Sequence, residues 1–310
     1  MLYSKTTPAA KRENFRAALK PGAALQFPGA FTPLSTKLIQ EQGFDGVYIS
    51  GGVLANELGL PDVGLTTLTE VAQRGNQIAR VTDLPCLIDA DTGFGEPMNV
   101  ARTIQELEDA GLAGTHIEDQ FNPKRCGHLD GKNMVDLETA TKRIAAAVDA
   151  RRDPNFLIMA RTDLRGVDTL DATIDRIKAL VDSGADAIFP EALKDISEFE
   201  TVANAVDVPI LANMTEFGKS ELFTRDQLQA AGVAMIIYPV TNLRSAMGAI
   251  ERTLTAIREA GTQEPAVDQI LTRSRLYELV DYEGYNHFDS GIFNFRVPTT
   301  DIDTNNSNLA

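Results

Sequence analysis

The chain has 310 residues, 43% of them hydrophobic, and a formal net charge of −15. Such a surface repels nucleic acid and anionic membranes, so neither is an expected partner, and an anionic substrate has to be met by locally gathered cations or by a metal. No apolar run reaches the roughly 20 residues that span a bilayer, the first residues lack a signal-peptide core, and two cysteines make no disulfide framework, so the expected setting is a reducing cytoplasm.

One pattern recurs along the chain: an amphipathic stretch ends in Gly, and a short apolar strand follows. The first strand is expected at Ala24-Leu25-Gln26-Phe27. Glu41-Gln42-Gly43 then precedes a strand over 46–50, and a third lies over 85–89. Asp109-Ala110-Gly111 precedes 114–118, a fifth strand covers 156–160, and Asp182-Ser183-Gly184 precedes 187–190. A seventh covers 208–212, and Ala230-Ala231-Gly232 precedes the last, 234–238. Gly just past a helix supplies the left-handed cap, and the apolar runs read as strands buried on both faces. Between them, Leu170, Ile174, Ile177 and Val181 mark one face of a helix, as do Ile104, Leu107 and Leu112 of another. Eight strands alternating with helices over about 240 residues predict a (β/α)8 barrel, an α/β fold. A doubly wound sheet fits less well, because no G-x-G-x-x-G follows the first strand. One domain is expected over 1–310, with a helical extension from about residue 262, a single helix over 267–280, and a polar, disordered tail from about residue 299.

In such a barrel the chemistry lies at the C-terminal ends of the strands. Strand 2 ends in Ser50-Gly51-Gly52, whose backbone N–H groups suit an oxyanion cradle. Asp89 and Asp91, spaced i, i+2, point to one side of strand 3 and repel unless a cation joins them. Oxygen-only ligands suit Mg²⁺ held partly through water, with Mn²⁺ as the alternative. On strand 4, Glu118 is placed to accept from metal-bound water; His116 fits that role or a core position equally. No His/Cys cluster has zinc spacing. Arg161 ends a buried strand, where an unpaired charge is costly, so Arg161, with Arg244 after strand 8, is a candidate for carboxylate recognition. Lys124-Arg125-Cys126-Gly127-His128 places a thiol between cations in a loop, the setting of a reactive cysteine. Cys86, inside an apolar strand, is structural.

Together Ser50-Gly51-Gly52, Asp89-Ala90-Asp91, His116-Ile117-Glu118-Asp119-Gln120, the Cys126 motif, Ala160-Arg161-Thr162-Asp163 and Asn213-Met214-Thr215-Glu216-Phe217-Gly218 resemble the isocitrate lyase and phosphoenolpyruvate mutase superfamily, from about residue 20 to about residue 290. The cysteine marks the lyase branch, and the chain lacks the insertions of isocitrate lyases. Arg125 stands where many members have a second Lys. The resemblance implies metal-dependent cleavage of a tricarboxylate, 2-methylisocitrate, to pyruvate and succinate. It implies Cys126 as proton donor with His128 beside it, and Tyr48 or Asp62 as base. It implies Asp89 and Asp91 as metal anchors, and Ser50, Gly51, Gly52, Gly127, Arg161, Glu191, Asn213, Met214, Thr215, Arg244 and Arg273 around the substrate. Phe189, Ile237 and Pro239 would face the substrate methyl. The implied assembly is a homotetramer exchanging C-terminal helices between subunits. Cleavage of isocitrate to glyoxylate, and a non-catalytic barrel that binds organic acids, are the competing readings.

Overall fold

The computed structural model describes residues 4–125, 131–218 and 220–293. Eight parallel strands run β1 (Leu25–Pro28), β2 (Val47–Ile49), β3 (Cys86–Asp89), β4 (Gly114–Glu118), β5 (Leu157–Thr162), β6 (Ala187–Pro190), β7 (Leu211–Asn213) and β8 (Met235–Tyr238). β2 to β6 pair in sequence order, and β1 pairs with β8, which pairs with β7. Single bridges, Gly29 to Tyr48 and Ile188 to Ile210, join the two groups. The ring is therefore the expected barrel. β7 starts three residues later than expected, because Pro209 has no N–H for the ladder; its carbonyl accepts from Ile188 instead, at 2.9 Å.

Helices α1 (Pro8–Ala18), α2 (Pro33–Glu41), α3 (Gly51–Glu57), α4 (Leu68–Ala79), α5 (Pro97–Asp109), α6 (Leu137–Ala150), α7 (Leu170–Asp182), α8 (Ile196–Ala205), α9 (Arg225–Ala230) and α10 (Thr241–Ala260) precede, separate and follow the strands. Two apolar clusters form. Ile88, Ile104, Leu107, Ile144, Ile158 and Ile177 belong to the layer between sheet and helices. Phe15, Phe27, Leu87, Met159, Phe189 and Ile237 fill the barrel interior. α1 plugs the barrel floor: Phe15 packs tilted against Phe27, ring centres 5.2 Å apart, and Arg12 donates to the carbonyls of Leu112 and Glu108.

The C-terminal region departs from the single helix expected over 267–280. A 3-10 turn covers Glu264–Gln269, Ile270 is extended, and Thr272 caps a new helix, α11 (Arg273–Leu279), its Oγ1 accepting from the Arg275 N–H at 3.1 Å. A threonine cap restarts the helix where apolar periodicity read straight through it. α12 (Tyr282–Phe293) follows; the expected tail from residue 299 lies outside the described residues. α10 is 20 residues long and buries none of them. Met247, Ile250, Leu254 and Ile257 stand exposed on it at helical spacing. Beside its first turns an apolar groove of ≈ 890 Å³ opens, lined by Leu34, Leu38, Phe44, Leu222 and Phe223 among others.

Candidate active site

Strand register assembles the site. Asp89 lies opposite His116, Glu118 opposite Arg161, and Arg161 opposite Phe189. With side chains alternating along each strand, these groups share the inner face at the C-terminal mouth. A cavity of ≈ 70 Å³ remains there, bounded by Tyr48, Asp62, Asp89, Lys124, Arg161 and Glu191, with Ser50, Gly52, Phe189, Asn213, Thr215, Ile237 and Pro239 completing the wall. It has room for about two waters, much less than a tricarboxylate.

The acids crowd together. Gly51 donates its N–H to Asp89 Oδ2 at 3.1 Å, and Asp91 donates its own to Asp89 Oδ1 at 2.9 Å. A Cβ on Gly51 would come 3.0 Å from Asp89, and one on Gly52 would come 2.9 Å from Asp62. The two glycines therefore serve close approach of the carboxylates. The cradle expected of Ser50-Gly51-Gly52 is corrected accordingly: the Gly51 amide is engaged by Asp89, and the Ser50 Oγ caps α3. Asp91 sits at φ +46, a left-handed conformation that Asp tolerates better than most residues.

Lys124 occupies the middle of this group. Its Nζ is 2.8 Å from Asp91 Oδ1 and pairs closely with Asp62, and its side chain is buried. Burial opposes its charge, but Glu118, Asp91, Asp89 and Asp62 outweigh burial and hold its pKa well above the ordinary value. The sequence presented Lys124 as a neighbour of the thiol; here its charge is matched by carboxylates, a role only the fold could reveal.

Burial also opposes the Asp89 charge, yet His116, Lys124, Arg161 and the Asp91 N–H hold its carboxyl down at about 2. Burial pulls His116 down to about 4 against the attraction of Asp89. The imidazole is thus neutral at pH 7, where Lys124 and Arg161 carry the stabilisation of Asp89. Asp91 is pushed up to about 6, by burial first and by the Asp89 charge second. Burial drives Glu118 well above the carboxylate range, against the pull of Arg161. Tyr48, raised mainly by burial, is a phenol at neutral pH, with its Oη 2.7 Å from His116 Nε2. The Arg161 guanidinium forks onto Asp163 at 2.9 and 3.1 Å and lies 3.3 Å from Glu191 and 3.4 Å from Glu118. It also stacks over Phe189 at 4.9 Å.

Several expected positions lie elsewhere. Arg244 is half exposed and held by Glu216 at 2.7 and 3.1 Å. Arg273 is exposed at the start of α11, and Met214 is buried in the core, its Sδ accepting from the Phe223 N–H at 3.3 Å. None of the three lines the cavity. Cys126, Gly127 and His128 lie outside the described residues.

Among the described residues, no group of three or more His, Cys, Asp or Glu converges as a metal-ligand set. This fits an ion held by one or two carboxylates and several waters, as Mg²⁺ usually is. The buried Oε1 of Glu118 has no hydrogen-bond partner among the described residues, as an acceptor awaiting such a water would.

A family model described as phosphoenolpyruvate phosphomutase matches residues 15–258. The chain belongs to this family. It is 58% identical to "Probable 2-methylisocitrate lyase 1" of Corynebacterium glutamicum, covering 92% of this chain and 94% of that one. It is 48% identical to 2-methylisocitrate lyase of Salmonella typhimurium, covering 86% and 92%. Among solved structures, oxaloacetate acetylhydrolase with the inhibitor 3,3-difluorooxalacetate superposes with a TM-score of 0.86 at 32% identity, covering 92% and 98%. Within the phosphoenolpyruvate mutase and isocitrate lyase fold, the side chains assembled here stand at the strand ends where barrel enzymes work.

Proposed function

We propose that this chain is a carbon–carbon lyase that cleaves 2-methylisocitrate to pyruvate and succinate. The observation that carries the reading is the charge pattern of the mouth, taken with the relatives' common activity. Asp62, Asp89, Asp91, Glu118 and Glu191 outnumber Lys124 and Arg161 there. A polyanionic substrate enters such a site only with a further cation and with some acid protonated, which the raised Glu118 supplies. Asp89 and Asp91 would anchor Mg²⁺, or Mn²⁺ in its place, directly or through water, with Glu118 behind them. When bound, the ion supplies Lewis-acid stabilisation of a developing alkoxide.

The chain's own residues do the rest. A base, Tyr48 or Asp62, removes the proton of the tertiary hydroxyl, and the bond between the hydroxyl-bearing carbon and its neighbour breaks. The electron pair moves into the neighbouring carboxylate as an enediolate, and Cys126 returns a proton to that carbon, giving succinate. Arg161, with Glu191, Asn213 and Thr215 beside it, receives substrate carboxylates. Phe189, Ile237 and Pro239 give the methyl an apolar wall. The small cavity implies that Lys124 and its neighbours shift to admit substrate.

The C-terminal helices past about residue 262, α11 and α12, would exchange between copies in a cytoplasmic homotetramer. The exposed stripe of α10 is supported as an interface by the open apolar groove, which offers a surface of matching chemistry. Spectroscopic assay of pyruvate release from 2-methylisocitrate, with and without chelator, tests the activity. No pyruvate from the metal-supplied protein overturns it.

A further inference from the structure

Asp163 lies one residue past β5, fully buried, and does three things at once. Its carboxylate accepts both the Nε and Nη2 hydrogens of Arg161, at 2.9 and 3.1 Å. Its Oδ1 also lies 3.3 Å from Lys132 Nζ, which is buried as completely. Its backbone N–H donates to Asp119 Oδ1 at 3.1 Å. Asp119 in turn holds Arg176 at 2.6 Å, and Arg176 donates to the Val135 carbonyl at 2.6 Å. One ion pair and one chain of hydrogen bonds through the Asp119–Arg176 pair thus tie the segment 131–135 to the end of β5.

The fork determines what Arg161 offers. With Nε and Nη2 turned to Asp163, the Nη1 hydrogens have no partner among the described residues, and Arg161 borders the cavity. Glu118 stands 3.4 Å from Nε and Glu191 3.3 Å from Nη2, so both compete with Asp163 for the same two nitrogens. Without the fork the guanidinium would settle onto those two acids and lose the orientation a carboxylate needs.

We propose that Asp163 is a positioning residue for substrate binding: it sets which edge of Arg161 faces the cavity, and Lys132 fixes it in that role from segment 131–135. This rests on the reading that Arg161 receives a substrate carboxylate.

The structure supplies a variant that acts on Lys132 without touching either partner. A Cβ at Gly166 would stand 2.6 Å from Lys132 Nζ, and Gly166 is not in a left-handed conformation. Gly166→Ala therefore displaces the amine at the far end of the Lys132 side chain rather than any backbone atom. The experiment compares wild type, Asp163→Asn, Gly166→Ala and the double variant. It measures the dissociation constant of succinate by calorimetric titration in Mg²⁺, and kcat and KM for 2-methylisocitrate. Asp163→Asn should weaken succinate about tenfold or more, the loss of one charge-assisted hydrogen bond. It should raise KM with kcat within about threefold. Gly166→Ala should weaken succinate by about threefold or more, and the double variant should bind no worse than Asp163→Asn alone, as two steps of one path require. If Asp163→Asn does not fold, Gly166→Ala decides alone through the KM change. Wild-type binding that neither substitution alters overturns the proposal while sparing the role of Arg161. Losses that multiply in the double variant overturn the link through Lys132. A wild type that neither binds succinate nor turns over 2-methylisocitrate overturns both.

Discussion

The amine of Lys124 lies 2.8 Å from Asp91, on the carboxylate that the sequence marks as a metal anchor. An internal cation thus balances the acids that a divalent ion would join. Asp91→Asn keeps a residue that tolerates φ +46 and removes the charge. It should abolish Mn²⁺ binding measured by electron paramagnetic resonance. Its cost in turnover should exceed the roughly 10–100-fold typical of losing an outer-shell partner. Chelator should silence the wild type and Mg²⁺ restore it; full activity in chelator would sink the metal assignment.

Tyr48 and His116 share a 2.7 Å hydrogen bond deep in the barrel. The phenol is raised by burial and the imidazole lowered to about 4, so both are neutral at pH 7. Tyr48→Phe should lower kcat by about 10²–10⁴ if the hydroxyl handles a proton, with KM nearly unchanged. A kcat within threefold of wild type would leave Asp62 as the base.

The two cysteines should separate by reactivity. Burial pushes the Cys86 thiol up to about 12, so iodoacetamide at pH 8 should label Cys126 in the native protein and both thiols in denaturant. The sign for stability follows: an unfolded thiol ionises near pH 8.5, so the Cys86 contribution is intact below that pH and is lost as pH rises towards 12. Cys126→Ser should bind succinate yet lose about 10²–10⁴ in rate. Labelling of native Cys86, or a fully active serine variant, would reverse the assignment.

Specificity should follow the apolar wall. A fitted methyl is worth about 10–200-fold, so kcat/KM for 2-methylisocitrate should exceed that for isocitrate by at least about tenfold. Ile237→Phe should narrow that ratio. It is a cleaner probe than Phe189, which also lies under the Arg161 guanidinium and meets the His116 ring edge-on. Equal wild-type turnover of isocitrate would point to a different lyase.

Leu254→Asp, on the exposed stripe of α10, should lower the mass found by light scattering. A wild type that is monomeric at micromolar concentration would contradict the proposed exchange of helices.

Much of this was legible in the sequence because it rests on local signals. A Gly that ends a helix located four of the eight strands and short apolar runs located the rest, and the i, i+2 spacing of Asp89 and Asp91 put two carboxylates on one side of β3. What was not legible depends on side chains that are remote in the chain. Lys124 meets Asp62 across 62 residues, and Lys132 meets Asp163 across 31. Nothing in either neighbourhood marks the partner. The break before α11 was missed because Thr272 caps a helix inside a run whose apolar spacing continues past it.

The pairing of β1 with β8 sets the order of synthesis against the order in space. Leu25 lies beside Met235 in the finished ring, so a chain leaving the ribosome must have passed residue 235 before its first strand finds its last neighbour. Until then the helix that plugs the floor, with Phe15 at its centre, has only part of a barrel to close. The growing sheet keeps two bare edges through most of translation. Contacts of such long sequence separation form slowly. The interval in which this protein is most exposed to aggregation is therefore its own synthesis, ending only when residues 235–238 emerge and the ring shuts.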